Sequence, residues 1–88
     1  MVKWEYSSFI AAPPRLIDRT DNRDDVVVLS VNSVAQDHRA NPVTPVQLLN
    51  EMGLEGWELV AVNAIVPPSP NAVRATGVWE YLLKRQAA

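Results

Sequence analysis

The sequence predicts an α+β domain: an antiparallel sheet of about four strands with one short helix on one face, in the order β-β-α-β-β. Three observations predict it. Stretches near both ends alternate with period two, a capped helix start stands at Thr44-Pro45, and the three tryptophans share one local frame. At 88 residues the chain forms one domain, 1–88, because it is too short for two separate cores. A domain this small buries only about 60–65% of its unfolded surface, and many such chains gain further burial from a partner subunit.

Residues 2–10 set Val2, Trp4 and Tyr6 on one side and Lys3, Glu5 and Ser7 on the other, the pattern of a half-buried strand. Pro13-Pro14 ends it, since neither residue donates to a ladder. The segment from Arg15 to Asp25 is charged and reads as an exposed turn or hairpin tip. Its Asp18, Asp21, Asp24 and Asp25 lack the alternate-oxygen pattern and central glycine of a calcium loop, and arginines stand among them, so no metal site is assigned.

Val26 to Val34 is the strongest β-branched run and is expected to be a central or interface strand. Ala35 to Val43, with Asp37-His38-Arg39, reads as loop. Thr44 then caps a helix of about ten residues, with Pro45 at its first position and Gln47 placed to complete a capping box. Val46, Leu49 and Met52, flanked by Leu48, are expected to form its apolar face; Gly53 is expected just past its end, with Leu54 folding back. Trp57 to Val66 follows as a strand apolar on both sides, which implies cover on both faces. Pro67-Pro68-Ser69-Pro70 stops it, a proline-rich loop carries Arg74, and Val78 to Arg85 is the last strand.

The tryptophan frame recurs as Trp4-Glu5-Tyr6, Trp57-Glu58-Leu59 and Trp79-Glu80-Tyr81. If these strands are neighbours, the aromatic and leucine side chains form one core face beneath the helix. The other face then carries Glu5, Glu58 and Glu80 with Lys3 and Lys84, a solvated arrangement of cross-strand pairs rather than a carboxylate cluster for acid/base work.

Trp4-Glu5-Tyr6, Leu48 to Val60 with its Gly56-Trp57-Glu58-Leu59 core, and Tyr81-Leu82-Leu83-Lys84-Arg85 together resemble the domain-of-unknown-function 4177 family of small bacterial and phage proteins. The resemblance implies a small antiparallel sheet with one helix and carries no catalytic residues over. Against shorter members of that family, Ala11 to Val43 reads as a long insert with an extra strand, the place where an individual function would reside.

Charge and composition narrow the function. The net charge of −2 and the scattered Lys and Arg argue against nucleic acid. The absence of cysteine removes disulfides, thiolate nucleophiles and sulfur-ligated metals. The charged N-terminus lacks a signal-peptide core and no apolar run is long enough to span a bilayer, so a cytoplasmic location with no membrane partner is expected. His38 is the sole histidine and stands in no nucleophile, metal or phosphate motif, so neither a catalytic residue nor a cofactor is assigned and an enzyme ranks last. The leading expectation is a self-associating interaction or scaffold module, a homodimer or higher homo-oligomer with Val28, Val60, Val62 and Leu82 at the interface. The alternative is a small-molecule binding or sequestering protein with a crevice at the subunit boundary, for which Arg39, Arg74 and Trp79 are the candidate contacts.

Overall fold

A computed structural model describes residues 3–16, 25–66 and 77–87. Among these lie five strands and one α-helix: β1 (Trp4–Ala12), β2 (Val27–Val31), β3 (Val34–Ala35), α1 (Pro45–Leu54), β4 (Glu58–Val66) and β5 (Val78–Gln86). The strands form one antiparallel sheet in the order β3-β2-β1-β5-β4. The α+β class and the antiparallel sheet are as expected; the strand count and order are not. The expected strand over Val26–Val34 is two strands joined by a two-residue turn, in which Asn32 and Ser33 both take positive φ, 48° and 69°. Positive φ at both central residues is the type I′ geometry whose twist matches a hairpin.

Asn32 supplies its own reason for sitting there. Its backbone N–H donates to the Ser8 carbonyl (2.8 Å), and its side-chain Oδ1 accepts from the Ser8 N–H (3.0 Å). The amide therefore prolongs the β1–β2 ladder by one rung after β2 has ended. Asparagine tolerates the left-handed conformation better than most residues.

The start of α1 is as expected. Gln47 N–H donates to Thr44 Oγ1 (3.2 Å), Thr44 N–H donates to Gln47 Oε1 (2.9 Å), and Pro45 occupies the first turn. Its end is not. The helix runs through Gly53 to Leu54, and the left-handed residue is Gly56, at φ 90°. Gly56 N–H donates to the Gly53 carbonyl and Trp57 N–H to the Met52 carbonyl, both at 3.0 Å. These are the paired bonds of a Schellman motif, and Trp57 supplies the hydrophobic contact to Met52 that accompanies it. Leu54, expected to fold back, is 90% exposed. The chain offers two glycines, each followed by a large apolar residue, and the one whose follower packs into the core, Trp57 rather than the exposed Leu54, closes the helix.

The face that α1 buries is Pro45, Leu48, Leu49 and Met52, a stripe at i, i+3, i+4 and i+7. Val46 lies off this stripe and is exposed, contrary to expectation. Ten residues at about 1.5 Å each span about 15 Å, close to the three strand spacings that separate β2 from β4, and α1 touches both. Beneath it lies the main core: Phe9, Val28, Met52 and Leu83, with Val31, Val43, Leu48, Leu49, Trp57 and Tyr81 packed around them. Phe9 stacks on Tyr81 at 4.6 Å between centroids. A second cluster of Ala12, Val27 and Leu29, joined by Val78, sits on the sheet's other face.

The phase of β1 overturns the expected aromatic face. Phe9 pairs with Tyr81 and Ser7 with Leu83, so odd-numbered residues of β1 face α1 through position 9. Trp4 and Tyr6 therefore point away from the helix, and Lys84 Nζ lies 4.4 Å from the Trp4 ring centroid. Glu5 turns to the helix side, where its Oε2 accepts from Arg85 Nε (2.9 Å). Phe9 and Ala11 decide the phase: fully buried here, they would be turned out with the alternative face of the strand.

Candidate functional site

Among the described residues, strand β4 stands at one edge of the sheet, hydrogen-bonded only to β5. It is nine residues long, Glu-Leu-Val-Ala-Val-Asn-Ala-Ile-Val, and every residue except Ala61 is exposed. Leu59, Val60, Val62, Ile65 and Val66 are all among the exposed large apolar side chains. Edge strands ordinarily avoid this by carrying lysine, proline or inward charge, by being very short, or by bulging. The register against β5 does slip at two places, between Leu59 and Ala61 and between Ala64 and Val66. Yet past Glu58 the strand has no charge and no proline, so among the described residues the two irregularities are its protection. The regular stretch between them is Ala61 to Ala64. Scattered exposed valines mean little, but five large apolar side chains on one edge strand form a patch.

The expected interface residues separate. Val60 and Val62 lie on this edge and are exposed. Val62 pairs with Tyr81 and therefore faces the α1 side, whereas Leu82 pairs with Ser8 and Ala61 on the far side. Val28 is 3% exposed and belongs to the core beneath α1. The four thus share no single surface: Val28 and Val62 lie on the α1 side but on an inner and an edge strand, and the phase of β5 turns Leu82 to the far side. Leu59, Ile65 and Val66 belong to the exposed set and were missed; the signal for them was the uncharged, proline-free run from Leu59 to Val66.

Arg85 secures the corner that leads from α1 into β4. Beyond its ion pair with Glu5, its guanidinium lies 4.5 Å from the Trp57 ring centroid and its Nη1 donates to the Glu55 carbonyl (3.2 Å). It thus covers one of the carbonyls that the end of α1 leaves unpaired, where a cation suits the helix dipole, and ties that end to β1 and β5. The three glutamates do not meet: Glu5 faces α1, whereas Glu58, opposite Lys84, and Glu80, opposite Ile10 and Asn63, lie on the far face. Among the described residues, no group of three His, Asp or Glu side chains is placed to hold a metal ion.

A groove of about 320 Å³ opens between α1, β2 and the 36–43 loop. Val28, Val31, Val43 and Leu48 line its floor, and Gln36, Asp37, Asn41 and Glu51 its rim. The loop is held in place by backbone: Val28 N–H donates to the Val43 carbonyl (2.8 Å) and Gln36 N–H to the Leu29 carbonyl (2.8 Å). Asp37 Oδ1 accepts from Ala40 N–H (3.0 Å), so that carboxylate shapes the turn. Of the expected ligand contacts, neither Arg39 nor Trp79 lines the groove. Arg39 is on the exposed turn of the loop, Trp79 is half-buried at the start of β5 against Gly77, and Arg74 lies outside the described residues. The groove's polar rim was not foreseeable, since it is assembled from a loop and a helix face with no motif spacing.

No family model, curated protein or solved structure matches this chain. No helix among the described residues is long and apolar enough to cross a membrane.

Proposed function

We propose that this chain is a self-associating interaction module of the cytosol, forming a homodimer or a higher homo-oligomer. The observation that carries the reading is β4, a nine-residue edge strand whose large apolar side chains are half exposed on both faces. At about 25 cal/mol for each Å² of apolar surface removed from water, covering such a strand is a substantial gain for a domain whose own stability is small. The resemblance to the domain-of-unknown-function 4177 family is compatible with it and assigns no other activity. Light scattering across protein concentration tests it. A mass of twice the chain or more at micromolar concentration is expected, and a monomer throughout overturns it.

A second reading, a small-molecule binding or sequestering protein, is favoured by one observation, the groove with its apolar floor and mixed carboxylate and amide rim. It lies within one copy of the chain rather than at a subunit boundary. Its volume falls at the small end of the range for ligand sites. A ligand present at a hundred times its Kd adds about 2.7 kcal/mol of stability by mass action. A thermal-shift screen of metabolite mixtures is therefore expected to show a rise in melting temperature, and a flat screen counts against this reading.

A further inference from the structure

We propose that the second copy adds to β4 edge-on, antiparallel, across a two-fold axis at Val62, so that two five-stranded sheets become one. This rests on the self-association proposed above and specifies its geometry.

Three features choose this arrangement. The first is charge. Glu58 is the strand's sole charged residue. Parallel in-register pairing would set it beside its own copy at about 5 Å. Antiparallel pairing over the full strand places the two carboxylates about 26 Å apart, well beyond the Debye length of about 8–10 Å at ordinary ionic strength.

The second is phase. Paired residues must share a face, and a strand paired with its own copy satisfies this only when the axis passes through a residue. Val62 is the midpoint of Glu58–Val66, so an axis there engages the whole strand. It sets Val62 against Val62, Ala61 against Asn63, and Glu58 against Val66. Ala61 and Asn63 already lie on the same face, opposite Leu82 and Glu80 of β5, so the central rungs match. An axis of this kind stands perpendicular to the sheet and leaves both helices on one side.

The third is closure. Among the described residues the sheet's other edge is β3, only two residues long. It cannot propagate pairing of this kind, so assembly through β4 stops at two copies rather than growing into a filament.

The absence of cysteine makes the geometry directly readable. Single Val62→Cys, Glu58→Cys and Val66→Cys variants are oxidised mildly and run without reductant, with circular dichroism confirming that each is folded. A disulfide needs Cα atoms about 4.4–6.8 Å apart, which directly opposed residues of an antiparallel pair satisfy. Val62→Cys is expected to cross-link to dimer, at least tenfold faster than Glu58→Cys or Val66→Cys alone. Mixing the last two is expected to give the Glu58→Cys/Val66→Cys heterodimer. If light scattering shows oligomers but Val62→Cys links no faster than the others, edge pairing at Val62 is wrong and self-association stands. A chain that scatters as a monomer at every concentration overturns both.

Discussion

Strands β2 and β4 read alike as sequence and end in opposite surroundings. Val27, Val28 and Leu29 of β2 are all buried, whereas Val60, Val62 and Val66 of β4 are about half exposed. The β2 strand has β1 on one side and β3 on the other, with α1 roofing one face and the Ala12–Val78 cluster on the other. Among the described residues a single hydrogen-bonded neighbour, β5, serves β4. An uninterrupted β-branched run thus selects for strand, while position in the sheet order decides burial. That order is set by pairings between distant segments, which carry no local signature.

The sharpest way to test this contrast is to damage the buried half. Phe9 is 1% exposed and stacked on Tyr81. Phe9→Ala is expected to cost about 3–5 kcal/mol, much of the total for a domain whose whole stability is on the order of 5–15 kcal/mol. Urea titration would read it as a large fall in midpoint or a chain that no longer folds. A loss below about 1 kcal/mol would mean that the core does not run through β1. Val28→Thr keeps the shape but buries a hydroxyl beneath α1, and is expected to lower stability by about 1–3 kcal/mol.

The corner between α1 and β4 gives the next effect, and it discriminates by sign. Gly56 holds φ 90°, whereas Gly53 lies inside the helix with nothing within 4 Å of an added Cβ. Gly56→Ala is expected to destabilise by about 1–2 kcal/mol through the left-handed backbone. Gly53→Ala is expected to stabilise by about 0.5–1 kcal/mol through helix propensity. Thermal melts of the two variants should therefore move in opposite directions; movement in the same direction would place the helix stop elsewhere.

These two glycines also show what the sequence could and could not tell. The helix start was fully legible, because Thr44, Pro45 and Gln47 act through bonds three residues apart. The helix end was ambiguous, because either glycine could stop it and only the burial of Trp57 against Met52 decides. The phase of β1 was ambiguous for the same reason: Trp4 and Tyr6 compete with Phe9 and Ala11 for one core, and the winner is fixed by Tyr81 and Leu83, some seventy residues away. The Asn32-Ser33 turn lacked a glycine to announce it. Of the candidate site, the apolar character of Val60 and Val62 was visible, but not that β4 would be an edge and Val28 an inner residue.

The smallest effect sharpens the contrast most. Val60→Thr repeats the isosteric swap of Val28→Thr on the exposed strand, where Val60 is 48% exposed and falls at a slip in the register against β5. In the isolated chain its hydroxyl stays in water, so the cost is expected to lie within about 0.5 kcal/mol. Denaturation repeated over a wide range of protein concentration separates two terms, because burial by a partner follows mass action while burial within the fold does not. A penalty near zero when dilute that grows with concentration is what an edge strand covered by a second copy requires. A penalty of about 1–3 kcal/mol independent of concentration would show that β4 is buried within its own chain, and the difference between the two strands would vanish.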